Sequence, residues 1–145
     1  MKTKIIPVLS FLLIANLSFA TEPATPPRHP SPRGAEVFII SPKNGETVTN
    51  PIIVKFGIKG MTLAPAGTQE PNTGHHHLLV DMKTLPPLDQ AIPSNENSIH
   101  FGKAQTETTL TLSPGPHTLQ LLLGDVNHMP HQPPVVSKKI KIVVK

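Results

Sequence analysis

Residues 51–59 read PIIVKFGIK and carry the pattern that decides the fold. Every second side chain from Ile52 to Ile58 is apolar, and the residues in the alternate register from 53 to 59 include two lysines. An apolar period of two, rather than 3.6, is typical of a β-strand that buries one face. The stretch therefore predicts a half-buried strand.

The same period recurs along the rest of the chain, with turn signals such as SPGP at 113–116 between the segments. No window longer than ten residues has a helical pattern. Seven short strands in about 110 residues are typical of an immunoglobulin-like or fibronectin-III-like β-sandwich. We therefore predict an all-β fold with long proline-rich loops. The predicted strands, A to G, are 36–41, 51–59, 76–82, a weak segment at 98–102, 106–112, 117–124 and 135–144.

The N-terminus has the composition of an export signal. Two lysines precede an apolar run of about 15 residues, and SFA at 18–20 is a small-x-small cleavage site. These features predict a signal peptide over 1–20, cleaved before Thr21, and a periplasmic or secreted protein. The run is too short for a full span, so we expect no stable membrane insertion after cleavage.

A proline-rich segment follows the signal. Residues 21–33 contain five prolines and no apolar cluster, which predicts a disordered tether. His29 lies in this tether and is assigned no role. Residues 34–145 then form a single domain of ordinary size. The chain has no cysteine, so neither a lipid-modified cysteine nor a disulfide can support that domain.

The charge of the chain and the motifs it lacks exclude several classes of function. The net charge of +4 falls to about +2 without the signal, and no basic patch is interleaved with aromatic residues, so we expect no nucleic-acid partner. The chain has no G-x-S-x-G elbow, no phosphate loop and no carboxylates paired in one segment. A histidine-brace copper monooxygenase needs histidine as its first mature residue, where Thr21 is expected. We predict a protein without enzymatic activity, although a hydrolytic zinc site of three histidines stays open in principle.

The histidines define the candidate site. In a sandwich of this kind the B–C, D–E and F–G connections meet at one end. Histidines lie at the entry to strand C, in strand D shortly before the D–E turn, and in the F–G loop, so we expect them to converge. His117, at the start of strand F, belongs to the opposite end. The candidate metal ligands are His75, His76, His77, His100, Asp125, His128, Met129 and His131.

These residues favour a transition metal. Imidazole suits copper, zinc and nickel, and a thioether such as that of Met129 favours copper, so copper is predicted ahead of zinc. Alternation along strand C turns His76 inward and leaves His75 and His77 outward. The strand therefore supplies either His76 alone or the outward pair. A carboxylate such as that of Asp125 could be a ligand or could fix an imidazole tautomer.

The most distinctive segments are SPKNGETVTNPIIVKFGIKGMTLAPAG, NTGHHHLLVD, LPPLDQAIP, HFGKAQTETTLTLSPGPHTLQLLLGD and NHMPHQPPVVS. In these segments, over about residues 36–144, the chain resembles DUF4399, a family of exported bacterial domains of unknown function. The resemblance implies a periplasmic or secreted single domain with an Ig-like β fold, and it implies no catalytic residue. The family pattern includes the histidine run at 75–77, HFG at 100–102 and H-x-P-H at 128–131.

Two functions remain open. One is a periplasmic metal-binding protein, for copper, that acts as a carrier, buffer or delivery partner. The other is a metal-free recognition or structural module of the cell envelope. Its long loops at 60–75, 83–97 and 124–134 would then bind a protein partner. A sugar is disfavoured because the chain has no Trp or Tyr for stacking.

Overall fold

The computed structural model describes residues 27–145, so the predicted signal peptide and the first part of the predicted tether lie outside the described residues. Within residues 27–145 the chain forms strands and no helix, which confirms the all-β prediction. This part of the chain accordingly contains no helix long and apolar enough to cross a membrane. The strands are β1 (Glu36–Ser41), β2 (Glu46–Val48), β3 (Ile52–Lys59), β4 (Thr62–Leu63), β5 (Thr73–Val80), β6 (Ser98–His100), β7 (Glu107–Leu110), β8 (Gly115–Gly124) and β9 (Ile140–Val144).

The strands form two sheets, as a β-sandwich requires. The smaller sheet has the order β1-β3-β7, and the larger has the order β2-β9-β8-β5-β4, with β6 also paired to β5. The pairs β2–β9 and β4–β5 are parallel, and the other strand pairs are antiparallel. All seven predicted strands form, and β2 and β4 are short additions that the period-two pattern was too brief to reveal.

Alternate residues of both sheets meet in the core. Val54 and Phe56 of β3 share one apolar cluster with Leu78 of β5 and Leu121 of β8, and none of the four is more than 3% exposed. Each such side chain contributes roughly 1.5–3 kcal/mol through burial. This core holds a domain that has no disulfide.

The strand β5 is buried on both faces, because residues 74–80 are all buried. One face lies against the core. On the other face Leu79 packs with Leu122 of β8 and with Ile92, which belongs to the connection between β5 and β6. Sheets buried on both faces are usually covered by helices. Here long connections provide the cover.

The strand β6 belongs to the larger sheet, a placement that the sequence pattern did not specify. A strand D of a sandwich pairs beside strand E in the smaller sheet, whereas β6 pairs with β5 in the larger sheet. The reason is the free edge of β5. Since β4 pairs only with Thr73 and Gly74, β6 satisfies the backbone groups of the next part of that edge.

The last residues of the predicted tether also differ from the prediction, because they are ordered. Pro30 forms a parallel bridge with Gln132, the Gln132 amide donates to the His29 carbonyl at 2.9 Å, and the Ser31 amide donates to the Gln132 carbonyl at 3.1 Å. Proline lacks an amide donor, but its neighbours and the carbonyl groups keep theirs, so an extended proline-rich segment can still pair with another chain segment.

Candidate metal centre

Strand register places three histidines on the outer face of the larger sheet. His75 and His77 are two residues apart on β5 and therefore project to the same side. His100 on β6 lies directly opposite His77, and directly opposed residues share a face. His128 lies in the connection between β8 and β9, which folds over the same face.

Four imidazole rings consequently meet at one point. The ring centroids of His75, His77, His100 and His128 lie 4.8–6.1 Å apart. One ligand atom from each of His75, His100 and His128 lies within 4.8 Å of the others. The Nε2 atoms of His77 and His75 are 3.3 Å apart. We call these four residues the histidine cluster.

Several distances within the histidine cluster match those around a tetrahedral metal ion, although the set whose ligand atoms all lie within 4.8 Å of one another is His75, His100 and His128 and leaves out His77. With metal–nitrogen bonds of roughly 2.0–2.1 Å, a tetrahedron separates two ligand nitrogens by about 3.3 Å and two imidazole centroids by about 5.2 Å. The Nε2 atoms of His75 and His77 have that nitrogen separation. Five of the six centroid distances lie between 4.8 and 5.2 Å, and His77 to His128 is longer at 6.1 Å. The residues present therefore could hold a metal.

Burial keeps three of the clustered rings, those of His75, His77 and His100, neutral and ready to bind a metal. Burial lowers the pKa of His75 to about 4 and that of His77 to about 3, with further lowering from the neighbouring histidines. Burial, followed by His128, also lowers the pKa of His100. At neutral pH these rings are therefore uncharged, and each offers an unprotonated nitrogen. Within residues 27–145 no hydrogen-bond partner exists for the buried Nδ1 of His77 or the buried Nε2 of His100.

Two glycines leave space for the imidazole rings of the histidine cluster. A Cβ added at Gly124 would lie 3.1 Å from Nε2 of His77 and 3.2 Å from Nε2 of His75. A Cβ added at Gly102 would lie 2.4 Å from Cε1 of His100. Any larger residue at these positions would crowd the cluster, so each glycine leaves space that an imidazole uses.

The carboxylate of Asp125 organises the loop that carries His128. Its Oδ1 accepts hydrogen bonds from the amides of Asn127 and Met129, both at 2.8 Å, and its Oδ2 lies 2.8 Å from Nδ1 of His29. Burial would raise the pKa of Asp125, but these hydrogen bonds, with that from His29 the largest, outweigh burial and lower it. Asp125 therefore stabilises the loop and is not a member of the histidine cluster.

The remaining predicted ligands lie apart from the cluster. His76 points into the core, where its ring meets that of Phe56 at a centroid distance of 5.3 Å. Of the two interpretations of the triplet, the structure therefore favours the outward pair. Nε2 of His131 lies 3.1 Å from the Thr73 carbonyl oxygen. His131 also lines a cavity of about 280 Å³, and none of the four clustered histidines contributes to the lining of that cavity. Met129 is buried, and its amide bonds to Asp125.

The other end of the same strands holds a second histidine–aspartate pair. Nδ1 of His117 lies 2.7 Å from Oδ2 of Asp81, and this hydrogen bond raises the pKa of His117. The pair joins the start of β8 to the residue after β5, as the predicted placement of His117 requires. Asp81 is therefore a partner of His117 at the opposite end from the histidine cluster.

Three residues that shape the site were not predicted from the sequence: Gly124, Ile92 and His29. A glycine that ends an apolar strand, as Gly124 does, could have indicated a close approach to a neighbouring side chain. The Ile92 amide donates to the His128 carbonyl at 2.8 Å, and His29 bonds to Asp125. No local pattern indicates either contact, because each joins segments that are distant in the sequence.

The fold and the histidine cluster together define a class of protein: an all-β sandwich domain whose covered sheet face could hold a metal. Residues 54–145 match the family model described as "Domain of unknown function (DUF4399)". The match covers more than half of the chain, which therefore belongs to the DUF4399 family, and it includes all four clustered histidines. No curated protein and no solved structure matches the chain.

Proposed function

We propose that this protein is a non-catalytic metal-binding protein that holds one copper ion with His75, His77, His100 and His128. The observation that carries the proposal is the convergence of four imidazole rings, with centroids 4.8–6.1 Å apart and with 3.3 Å between Nε2 of His75 and His77. Without metal, one of these nitrogens can donate a hydrogen bond to the other. With metal, both lone pairs would bind the ion.

The donor set favours copper over zinc. All four donors are imidazole nitrogens, which suit both ions, and copper binds nitrogen ligands more tightly than zinc does. Zinc is the competing ion because it also accepts tetrahedral coordination.

The arrangement supports a carrier or buffer and not an enzyme. A catalytic metal site keeps an open position for water or substrate, whereas four protein ligands fill a tetrahedral shell. His75 and His77 are at most 1% exposed, while His100 and His128 are half-buried. An ion would therefore be anchored on the buried strand and reached from the side of His100 and His128. Export through the predicted signal would place this carrier in the periplasm or outside the cell, where a protein partner would deliver or accept the ion.

We expect the protein, exported and purified without a nickel column or chelator, to bind about one equivalent of copper saturably. Elemental analysis followed by Cu(I), Cu(II) and Zn(II) titrations measures this directly. Cobalt substitution tests the geometry, since tetrahedral Co(II) absorbs visible light far more strongly than octahedral Co(II). Background metal content and non-saturating titrations would contradict the proposal and favour the metal-free recognition module.

Gly124→Ala is expected to weaken metal binding by at least about 10-fold, a loss of the kind seen when the surroundings of a metal ligand are disturbed. The added methyl group would press on the two Nε2 atoms at 3.1 and 3.2 Å while every histidine stays in place. The backbone at Gly124 is not left-handed, so alanine fits the strand there. The free energy of unfolding should change by about 1 kcal/mol or less.

Gly57→Ala is the matched control for this variant, because Gly57 lies in β3 of the smaller sheet and the atoms nearest to its added methyl group belong to the half-exposed ring of Phe38. It should bind metal as the unaltered protein does, measured by competition titration with a chelator. Wild-type affinity in Gly124→Ala would show that the ion does not sit beside the His75–His77 pair.

A further inference from the structure

Residues 28–31 run along the loop that follows β8, and we call them the strap. Backbone hydrogen bonds join the strap to Gln132 on both sides of the Pro30 bridge. The hydroxyl of Ser31 donates to the Pro133 carbonyl at 2.7 Å. The strap lies before residues 54–145, the part of the chain that matches the family model.

Two side chains of the strap reach further along the loop. Nε of Arg28 donates to the Pro130 carbonyl at 2.8 Å, and its guanidinium group also bonds to the His131 carbonyl. Nδ1 of His29 lies 2.8 Å from Oδ2 of Asp125, whose side chain is only 1% exposed. The ionised carboxylate accepts, so the imidazole N–H is the donor.

The Asp125 carboxylate links His29 of the strap to the backbone around His128. Its second oxygen holds the amides of Asn127 and Met129, the two residues that flank His128 in the chain. The His128 amide donates in turn to the Asp125 carbonyl at 2.9 Å, and His128 itself has a left-handed backbone with φ of 63°. A non-glycine residue in that conformation needs support from its surroundings. The loop around His128 is therefore held by one carboxylate, and the strap holds that carboxylate.

We infer that the strap positions His128 for metal binding, with His29 as the positioning residue. The inference deepens the proposed function and rests on it. His29 touches no ligand nitrogen and acts through Asp125. Removing its N–H donor leaves a buried carboxylate oxygen without its shortest partner, so Asp125 would be free to turn and release the amides on both sides of His128.

His29→Ala tests the strap, and His117→Ala is the matched control. Both variants remove an imidazole that bonds an aspartate at nearly equal distance, 2.8 Å for His29 and 2.7 Å for His117. The two pairs lie at opposite ends of β5 and β8. We expect His29→Ala to raise the copper dissociation constant by about 10-fold, the lower end of what lost outer contacts cost a metal site. His117→Ala should leave that constant unchanged.

Hydrogen exchange of the metal-free protein tests the strap independently of metal. In His29→Ala the amides of Asn127 and Met129 should exchange at least about 10-fold faster, while His117→Ala leaves them unaltered. His29→Asn should restore slow exchange, because its side-chain amide can donate in place of Nδ1. Unchanged exchange in His29→Ala would overturn the strap even if copper binds. Faster exchange with unchanged copper affinity would overturn its positioning role. Faster exchange in a protein that binds no metal would overturn the proposed function, and the metal-positioning role with it, but not the hold of the strap on the loop.

Discussion

His75→Ala combined with His77→Ala is expected to reduce copper binding from about one equivalent to background. The double variant removes two of four nitrogens, including the pair 3.3 Å apart that lies on the buried strand. Disturbing the outer contacts of a metal ligand already costs about 10–100-fold in affinity. Losing two ligands should cost more than 100-fold, measured by titration against a competing chelator.

His76→Leu is the control that makes this result specific. It alters the residue between the two ligands, but its side chain lies in the core beside Phe56. We therefore expect full copper binding in His76→Leu. The half-buried His128, replaced alone by alanine, provides a variant with little risk to folding, and it should also lose affinity. Equal loss of copper in His76→Leu and in the double variant, with both folded, would contradict the assigned faces of β5.

The metal-free protein is expected to lose stability steeply as the pH falls from 6.5 towards 4. Burial lowers the pKa of His75 and His76 to about 4 and that of His77 to about 3. Between pH 4 and 6.5 the unfolded chain therefore binds more protons at these residues than the folded chain does, so the free energy of unfolding rises with pH. A group shifted from 6.5 to about 4 contributes on the order of 3 kcal/mol. The three groups act in the same direction, and even one is a sizeable part of the roughly 5–15 kcal/mol that a typical domain has in total.

Urea unfolding at a series of pH values measures this effect, and His76→Leu identifies one source of it. Both ring nitrogens of His76 are buried without a hydrogen-bond partner in residues 27–145, which costs roughly 1–3 kcal/mol. Leucine at this position should raise the free energy of unfolding at pH 7.5 by about that amount and make its pH dependence shallower. His117 acts in the opposite direction, because its raised pKa adds stability at acid pH that is lost as the pH rises. A flat profile between pH 4 and 6.5 would contradict the burial of the triplet.

The fold could be predicted from the sequence because the alternation of apolar residues records one buried face. Ile52 to Ile58 in β3 and Leu119 to Leu123 in β8 show it clearly, and both strands form where the pattern predicts. The alternation does not indicate which strand a given strand pairs with. The three residues of β6 contain no information about which sheet they join, and its pairing with β5 depends on how little of that edge β4 covers.

The candidate site was predictable in part for the same reason. Alternation separates His76 from His75 and His77, and the two faces of β5 bear this out. Sequence could not distinguish His128, which joins the cluster, from His131, which bonds to the Thr73 carbonyl. The hydrogen bonds centred on Asp125 hold the segment that carries His128, and the alternation of apolar residues does not indicate them.

The clustered histidines come from three stretches of chain that are distant in sequence, with β5, β6 and the β8–β9 loop each supplying at least one. An ion bound to all of them would be a cross-link, closing loops from His77 to His100 and from His100 to His128. Such closure restricts the unfolded chain in the way a disulfide does. In a domain with no cysteine, copper would be the reversible counterpart of a disulfide, and chelation would open it without a reductant.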